Sequence, residues 1–221
     1  DWLKTRPMKC TALAFTVFYI VLPVFSQEAV STFKNGDFEE SDISHPGKPR
    51  YWDMPDGLGI IWTLAPDEAQ GTNRGKAIRM DTSISEKKMV QQWKKAGIEQ
   101  WDIPDPKNNP IAATYGLSFY SDPFPVEKGK SYRIAFDFKG PKKGEGGKVW
   151  VRGYGEIGGK KRRLYETVIF CRVPDNRWHP FSQSFHPTKY KHQVTEVRVM
   201  LFACWPAGVY WFDNVKLFGS E

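Results

Sequence analysis

From residue 51 onward the chain runs in short stretches of alternating apolar and polar residues, broken by Gly, Pro, Asn and Asp. The stretches are 51–54, 59–64, 76–81, 116–120, 130–139, 148–156, 162–173, 178–185, 194–204 and 209–218. Alternation with a period of two sends successive side chains to opposite faces of a strand. Ten such stretches without βαβ alternation predict an all-β fold, a β-sandwich. One interruption has a helical period: in residues 83–97, SISEKKMVQQWKKAG, Met89, Val90 and Trp93 share a helical face. Ser83 with Glu86 reads as a capping box, and Gly97 stands where the helix would stop. The next segment, 98–113, carries three prolines and two asparagines and predicts a loop lying over the sandwich.

Three C-terminal strands divide most clearly into two faces. In KVWVRGYGE, Val149, Val151, Gly153 and Gly155 alternate with Trp150, Arg152, Tyr154 and Glu156. RRLYETVIFC sets Leu164, Val168 and Phe170 against Arg163, Tyr165, Thr167 and Cys171, and EVRVMLFAC sets Val197, Val199, Leu201 and Ala203 against Arg198, Met200, Phe202 and Cys204. If the three share a sheet, each gives one aliphatic face to the core and one mixed face. The mixed face, Trp150, Arg152, Tyr154, Glu156, Arg163, Tyr165, Arg198 and Phe202, combines rings that stack on sugars with groups that bond hydroxyls. These residues are the candidate ligand site for a polysaccharide or oligosaccharide. The competing reading is that the loop 98–113 or the helix covers this face as a second layer of structure.

Composition supports the β reading: nine Trp, fifteen Phe and nine Tyr accompany nineteen Gly and sixteen Pro in 221 residues. That length holds one ordinary domain. Residues 8–26, MKCTALAFTVFYIVLPVFS, have a basic start, a short apolar run and a small residue at the end, the pattern of a secretory leader cleaved after Ser26. The organisation expected is therefore residues 1–26 upstream sequence and leader, and 27–221 one exported domain, secreted, periplasmic or at the cell surface, with no membrane span after cleavage. Formal net charge is +7, and residues 1–26 hold Lys4, Arg6 and Lys9 against Asp1, leaving about +5 on the remainder. No long basic run or helical basic stripe favours nucleic acid as a partner. Beyond the leader two cysteines stand, Cys171 and Cys204, which either pair in an oxidising compartment or remain thiols.

The order NGDFEE, GKAIRM, VEKGKSYRIAFDFKG, RWHPFSQSF and GVYWFDNVKLF resembles the jelly-roll carbohydrate-binding modules found beside bacterial xylanases and glucanases, with the galactose-binding-like fold. The resemblance runs from about Phe33 to Phe218. It implies non-catalytic polysaccharide binding and a structural calcium ion. The ligands it implies are the backbone carbonyls of Asp37 and Lys76, the carboxylates of Glu39 and Asp213, and Asn73 where some members carry an acidic residue. All are oxygen donors, as Ca²⁺ prefers. The alternative for Glu39 and Asp213 is hydrogen bonding to backbone amides at strand ends. In the closing strand Val209, Trp211, Asp213, Val215 and Leu217 share one parity, which places Asp213 on the apolar side.

Two other functions compete with binding. A glycosidase needs two carboxylates facing one site, and Glu156 and Glu166 fall on opposite parities. A jelly-roll lyase would use Tyr154 or Tyr165 as base beside Arg152 or Arg163. The third possibility is an exported scaffold or envelope component holding a protein partner through exposed Trp101 and Trp205. Zinc spacing, G-x-S-x-G and a phosphate-cradling loop are absent from the sequence.

Overall fold

The computed structural model describes residues 33–53, 59–66, 74–95, 97, 111–142 and 146–219. The expected leader, Asn73, Trp101 and positions 98–110 of the expected loop lie outside them. Among the described residues eleven strands form two sheets, and every pairing is antiparallel. The first sheet contains β1 (Trp52–Asp53), β4 (Leu117–Ser121), β5 (Phe124–Pro125), β7 (Gly147–Ile157), β8 (Lys160–Phe170) and β10 (Glu196–Ala203). Its order is β1-β4-β10-β7-β8, with β5 beside β10. The second contains β2 (Ile60–Leu64), β3 (Lys76–Asp81), β6 (Tyr132–Lys139), β9 (His179–Phe185) and β11 (Val209–Gly219), in the order β2-β3-β11-β6-β9. The expected sandwich is thus present. Only β5 had no counterpart in the pattern, since two residues ending in Pro carry no period.

The core forms where the apolar parities of the two sheets meet. Val149, Val151, Val197, Val199 and Leu201 of the first sheet are fully buried in one cluster with Ile134, Phe136, Phe138 and Phe212 of the second. Burial of each such side chain stabilises the fold by about 1.5–3 kcal/mol. Trp52 stacks on Phe119 with centroids 5.4 Å apart, and its indole N–H donates to the Asn35 carbonyl at 3.0 Å. A two-residue strand is held in place this way.

The helix α1 covers Glu86–Lys95, inside the expected range. Met89 is buried and Trp93 packs against the core, the face that the sequence predicts. Glu86 in the first turn and Lys94 and Lys95 in the last suit the helix dipole, and Gly97 ends it by donating to the Lys94 carbonyl at 3.1 Å. The capping box is not formed as expected. Ser83 donates from its backbone and its hydroxyl to Asp81 Oδ1, at 3.0 and 2.6 Å, so its side chain belongs to the turn after β3, and the first helical bond runs from Met89 to Ser85. The expected loop 98–113 also gives way at its end to a π-helical turn, Ile111–Tyr115, leading into β4.

Strand β8 departs from the simple alternation. It pairs with β7 as Val149↔Ile169, Val151↔Thr167 and Gly153↔Tyr165, and the register shifts between Gly153 and Tyr154, after which Tyr154 meets Arg163. Paired residues share a face, so Ile169, Thr167 and Tyr165 point inward, while Phe170, Val168 and Glu166 join the mixed face. Phe170 is 47% exposed, and Tyr165 stacks on Phe185. The expected sides of Val168, Phe170, Tyr165 and Thr167 are therefore reversed. A bulge inserts one residue and inverts the parity beyond it, so Leu164 and Arg163, before the bulge, stand on the sides expected.

Cys171, expected on the mixed face, is also buried, with its thiol pushed up by burial. Cys171 and Cys204 bond through their amides to the adjacent carbonyls of Gly147 and Gly146, yet both are free thiols.

Candidate functional site

Five strands of the first sheet build the mixed face. Reading across the register, it consists of Asp53 from β1, Ser118 and Tyr120 from β4, Arg198, Met200 and Phe202 from β10, Trp150, Arg152 and Tyr154 from β7, and Arg163, Glu166 and Val168 from β8. Of the residues expected there, Trp150, Arg152, Tyr154, Arg163, Arg198 and Phe202 share the face. Glu156 lies on it at the strand end, exposed and opposite Lys161. Tyr165 does not: it faces inward, and burial raises its hydroxyl above the usual range, which removes it as a lyase base.

The face has two halves. Toward one end Trp150, Met200, Phe202, Val168 and Phe170 form an apolar area. Phe202 lies against Gly116, where the π turn enters β4, so the chain closes this end. Trp150 is half-buried, and its indole N–H is buried without a hydrogen-bond partner. Toward the other end Asp53, Tyr120, Arg152, Tyr154, Lys161 and Arg198 line an open depression of about 490 Å³. Two tyrosines from different strands, Tyr120 of β4 and Tyr154 of β7, border it.

Most charges around the depression are already fixed by one another. Arg152 donates to Glu166 at 2.8 Å, to the Tyr120 hydroxyl at 3.3 Å and to Met200 Sδ at 3.2 Å, and its guanidinium lies 5.3 Å from the Trp150 ring centre. Arg163 donates to the same Glu166 oxygen at 2.8 Å. Lys161 pairs with Glu196 and sits over the Tyr154 ring, and Asp53 lies 4.0 Å from Lys48. Such a network positions its members rather than adding much stability, since the pairs are partly solvated. Glu166, expected on the opposite parity to Glu156, lies on the same face because of the bulge; as a carboxylate that holds two arginines, it serves as an acceptor. Tyr120, Asp53 and Lys161 were not singled out from the sequence, and Glu166 was set aside there on parity. The alternation in LSFYS could have shown Tyr120, whereas Asp53 and Glu166 depend on pairing and on the bulge.

Four of the residues implied as calcium ligands, Asp37, Glu39, Lys76 and Asp213, are described, and they lie in or beside the second sheet. The Asn35–Phe38 turn, with Asn35 and Phe38 at positive φ, is pinned by the Asn35 side chain to Glu40 and to the Arg50 carbonyl, each at 2.9 Å. Asp37 is exposed in this turn. Glu39 accepts the Lys76 backbone N–H at 2.7 Å, and its carboxylate lies so close to Gly75 that a Cβ there would stand 1.9 Å from Oε1. The Lys76 ammonium rests over Trp62, 3.6 Å from the ring centre.

Asp213 is buried, but not on the apolar side as expected. Tyr210 and Phe212 are the inward residues of β11, and Asp213 pairs with Asp137 on the outer face. A register shift between Asp213 and Lys216, with Asn214 at φ 51°, then turns Val215 and Leu217 inward. Asp213 Oδ1 accepts the Asn214 N–H at 2.7 Å, which is the amide-bonding alternative. Arg74 donates to Asp137 at 2.8 Å, approaches Asp213 Oδ2 only to 3.6 Å, and stacks on Trp178 at 4.6 Å. Asp213 Oδ2 is left buried without a hydrogen bond. Burial first, and then the charges of Asp137 and Glu39, push Asp213 up to about 7, against the opposing pull of the Asn214 amide and Arg74.

No family model matches this chain, and no curated protein matches it in sequence. Solved structures do match its fold. An arabinose-bound α-L-arabinofuranosidase superposes with a TM-score of 0.51 at 12% identity, over 85% of this chain and 26% of that one. The enzymatically active domain of tailspike protein 4 of bacteriophage CBA120 gives 0.52 at 10% identity, over 86% and 21%. The chain thus spans about a quarter or less of these two. A CBM22-2 xylan-binding domain from Paenibacillus barcinonensis is covered over 98% of its length, with a TM-score of 0.46 and 9% identity. Further carbohydrate-binding modules are among the similar structures, at TM-scores of 0.41 to 0.43. The likeness is one of fold: this chain is an all-β, jelly-roll sandwich.

Proposed function

We propose that this chain is an exported, non-catalytic module that binds polysaccharide on the mixed face of its first sheet. The observation that carries the reading is the open depression bordered by Tyr120 and Tyr154, with Asp53, Lys161, Arg152 and Arg198 around it. Rings that present flat apolar faces, next to charged groups able to bond hydroxyls, match the two faces of a pyranose. The network that holds Arg152 and Glu166 reduces the ordering cost of binding. Among the described residues no helix is long and apolar enough to cross a membrane.

Calorimetric titration of the whole chain against neutral and acidic glycans tests this reading. Saturable binding without product supports it. Formation of unsaturated ends would instead reveal a lyase, and absence of binding across the panel would leave a scaffold for a protein partner.

A structural calcium ion belongs to the same proposal. Asp137 and Asp213 face one guanidinium, that of Arg74, the charge of Glu39 also acts on Asp213, and Asp213 Oδ2 has no hydrogen bond. A divalent cation held by Glu39, Asp213 and the carbonyls of Asp37 and Lys76 would relieve that imbalance, and Asn73 would add an amide oxygen. Among the described residues no three His, Cys, Asp or Glu side chains cluster as a metal site, so the carbonyls would be needed. Chelator is expected to lower the melting temperature of the wild type but not of Asp213→Ala; equal sensitivity would exclude Asp213. In chelator, Asp213 binds its proton more tightly when folded, about 7 against 3.8. Stability should therefore be greatest below about pH 4 for this group and fall as pH rises to about 7. Calcium, which takes the ionised form, should flatten that fall.

A further inference from the structure

We infer that the glycan bound by this face carries carboxylate groups, and that Arg198 is the residue that receives them. The inference rests on the binding reading above. Arg198 stands directly opposite Arg152 across the β10–β7 ladder. Like charges in register oppose one another and destabilise a sheet. Arg152 has its compensation in Glu166. The other cations near it are matched as well: Arg163 with Glu166 and Lys161 with Glu196. Among the described residues Arg198 has no hydrogen-bond or ion-pair partner, although it is half-buried and lines the depression.

The chemistry this leaves is specific. A guanidinium is a planar fork of donors that matches a carboxylate in two parallel hydrogen bonds. Its partner must come from outside the protein. Tyr120 and Tyr154 line the same depression, so the carboxylate would arrive on a ring that those side chains contact, as it does on a uronic acid residue of a polysaccharide. Asp53, also in the lining, lies 4.0 Å from Lys48 and is placed to accept a sugar hydroxyl.

The test uses the full chain and one acidic polysaccharide in two forms, polygalacturonate or glucuronoxylan and the same material after carboxyl reduction. Neutral xylan, β-glucan and dextran sulfate complete the set. The acid form is expected to bind at least tenfold more tightly than its reduced form, with affinity falling as salt rises. Arg198→Ala should erase that preference, and Arg198→Lys should restore only part of it. The melting temperature of Arg198→Ala should not fall, since the substitution removes a like-charge pair. Equal affinity for the acid and reduced forms, or an unchanged preference in Arg198→Ala, overturns the inference while glycan binding stands. Binding of dextran sulfate alone overturns the assignment to carboxylate. No binding to any member overturns the underlying reading as well.

Discussion

Gly36→Ala is expected to lower the melting temperature by about 10 °C, equivalent to about 3 kcal/mol for a chain of this size. A Cβ on Gly36 would stand 1.7 Å from the Val215 carbonyl oxygen, a backbone atom that no side-chain rotation can move. The Gly36 carbonyl also accepts the Val215 N–H at 2.7 Å. The substitution therefore forces apart the contact between the first turn and the bulge of β11. Beyond that contact lie Glu39 on one side and Asp213 on the other. Loss of the calcium response should accompany loss of stability, which thermal melts with and without chelator would read together. A variant as stable as the wild type would show that the turn is not clamped to the bulge.

Tyr154→Ala is expected to weaken glycan binding about 10- to 100-fold, the range for removing one aromatic anchor, with little change in melting temperature. Tyr154 is half-buried at the depression, with Lys161 at 6.0 Å from its ring centre. Little of the core depends on it. Trp150→Ala differs: the indole N–H is buried, and Arg152 lies against the ring. Its removal should cost stability as well as affinity, so the two rings, which look equivalent in the sequence, are separable by calorimetry and melting together. Unchanged affinity in Tyr154→Ala would mean that the glycan lies elsewhere.

The parts of the site that alternation made legible are those on uninterrupted strands. In β7 and β10, Trp150, Arg152, Tyr154, Arg198 and Phe202 stand on the side that counting assigns to them. Tyr165 and Asp213 do not, and for the same reason. Each adjoins a register shift, where one additional residue reverses the face of whatever follows. Nothing in LYET or FDNV marks the extra residue, because its cost is met by tertiary contacts: the Tyr165–Phe185 stack in one case and the Val215–Gly36 hydrogen bond in the other.

What the sequence determined by itself was therefore whatever depends on local period and turn chemistry: the all-β class, ten of the strands, one helix within 83–97 and the two faces of β7 and β10. The tertiary structure decided which charges meet. Glu166 holds Arg152, Arg74 reaches Asp137 and Asp213 from a loop, and Arg198 in the depression is left with no partner among the described residues. Pairing across strands is set by register and by the packing of one sheet on the other. A charge has no period, so its partner becomes visible only when the strands are side by side.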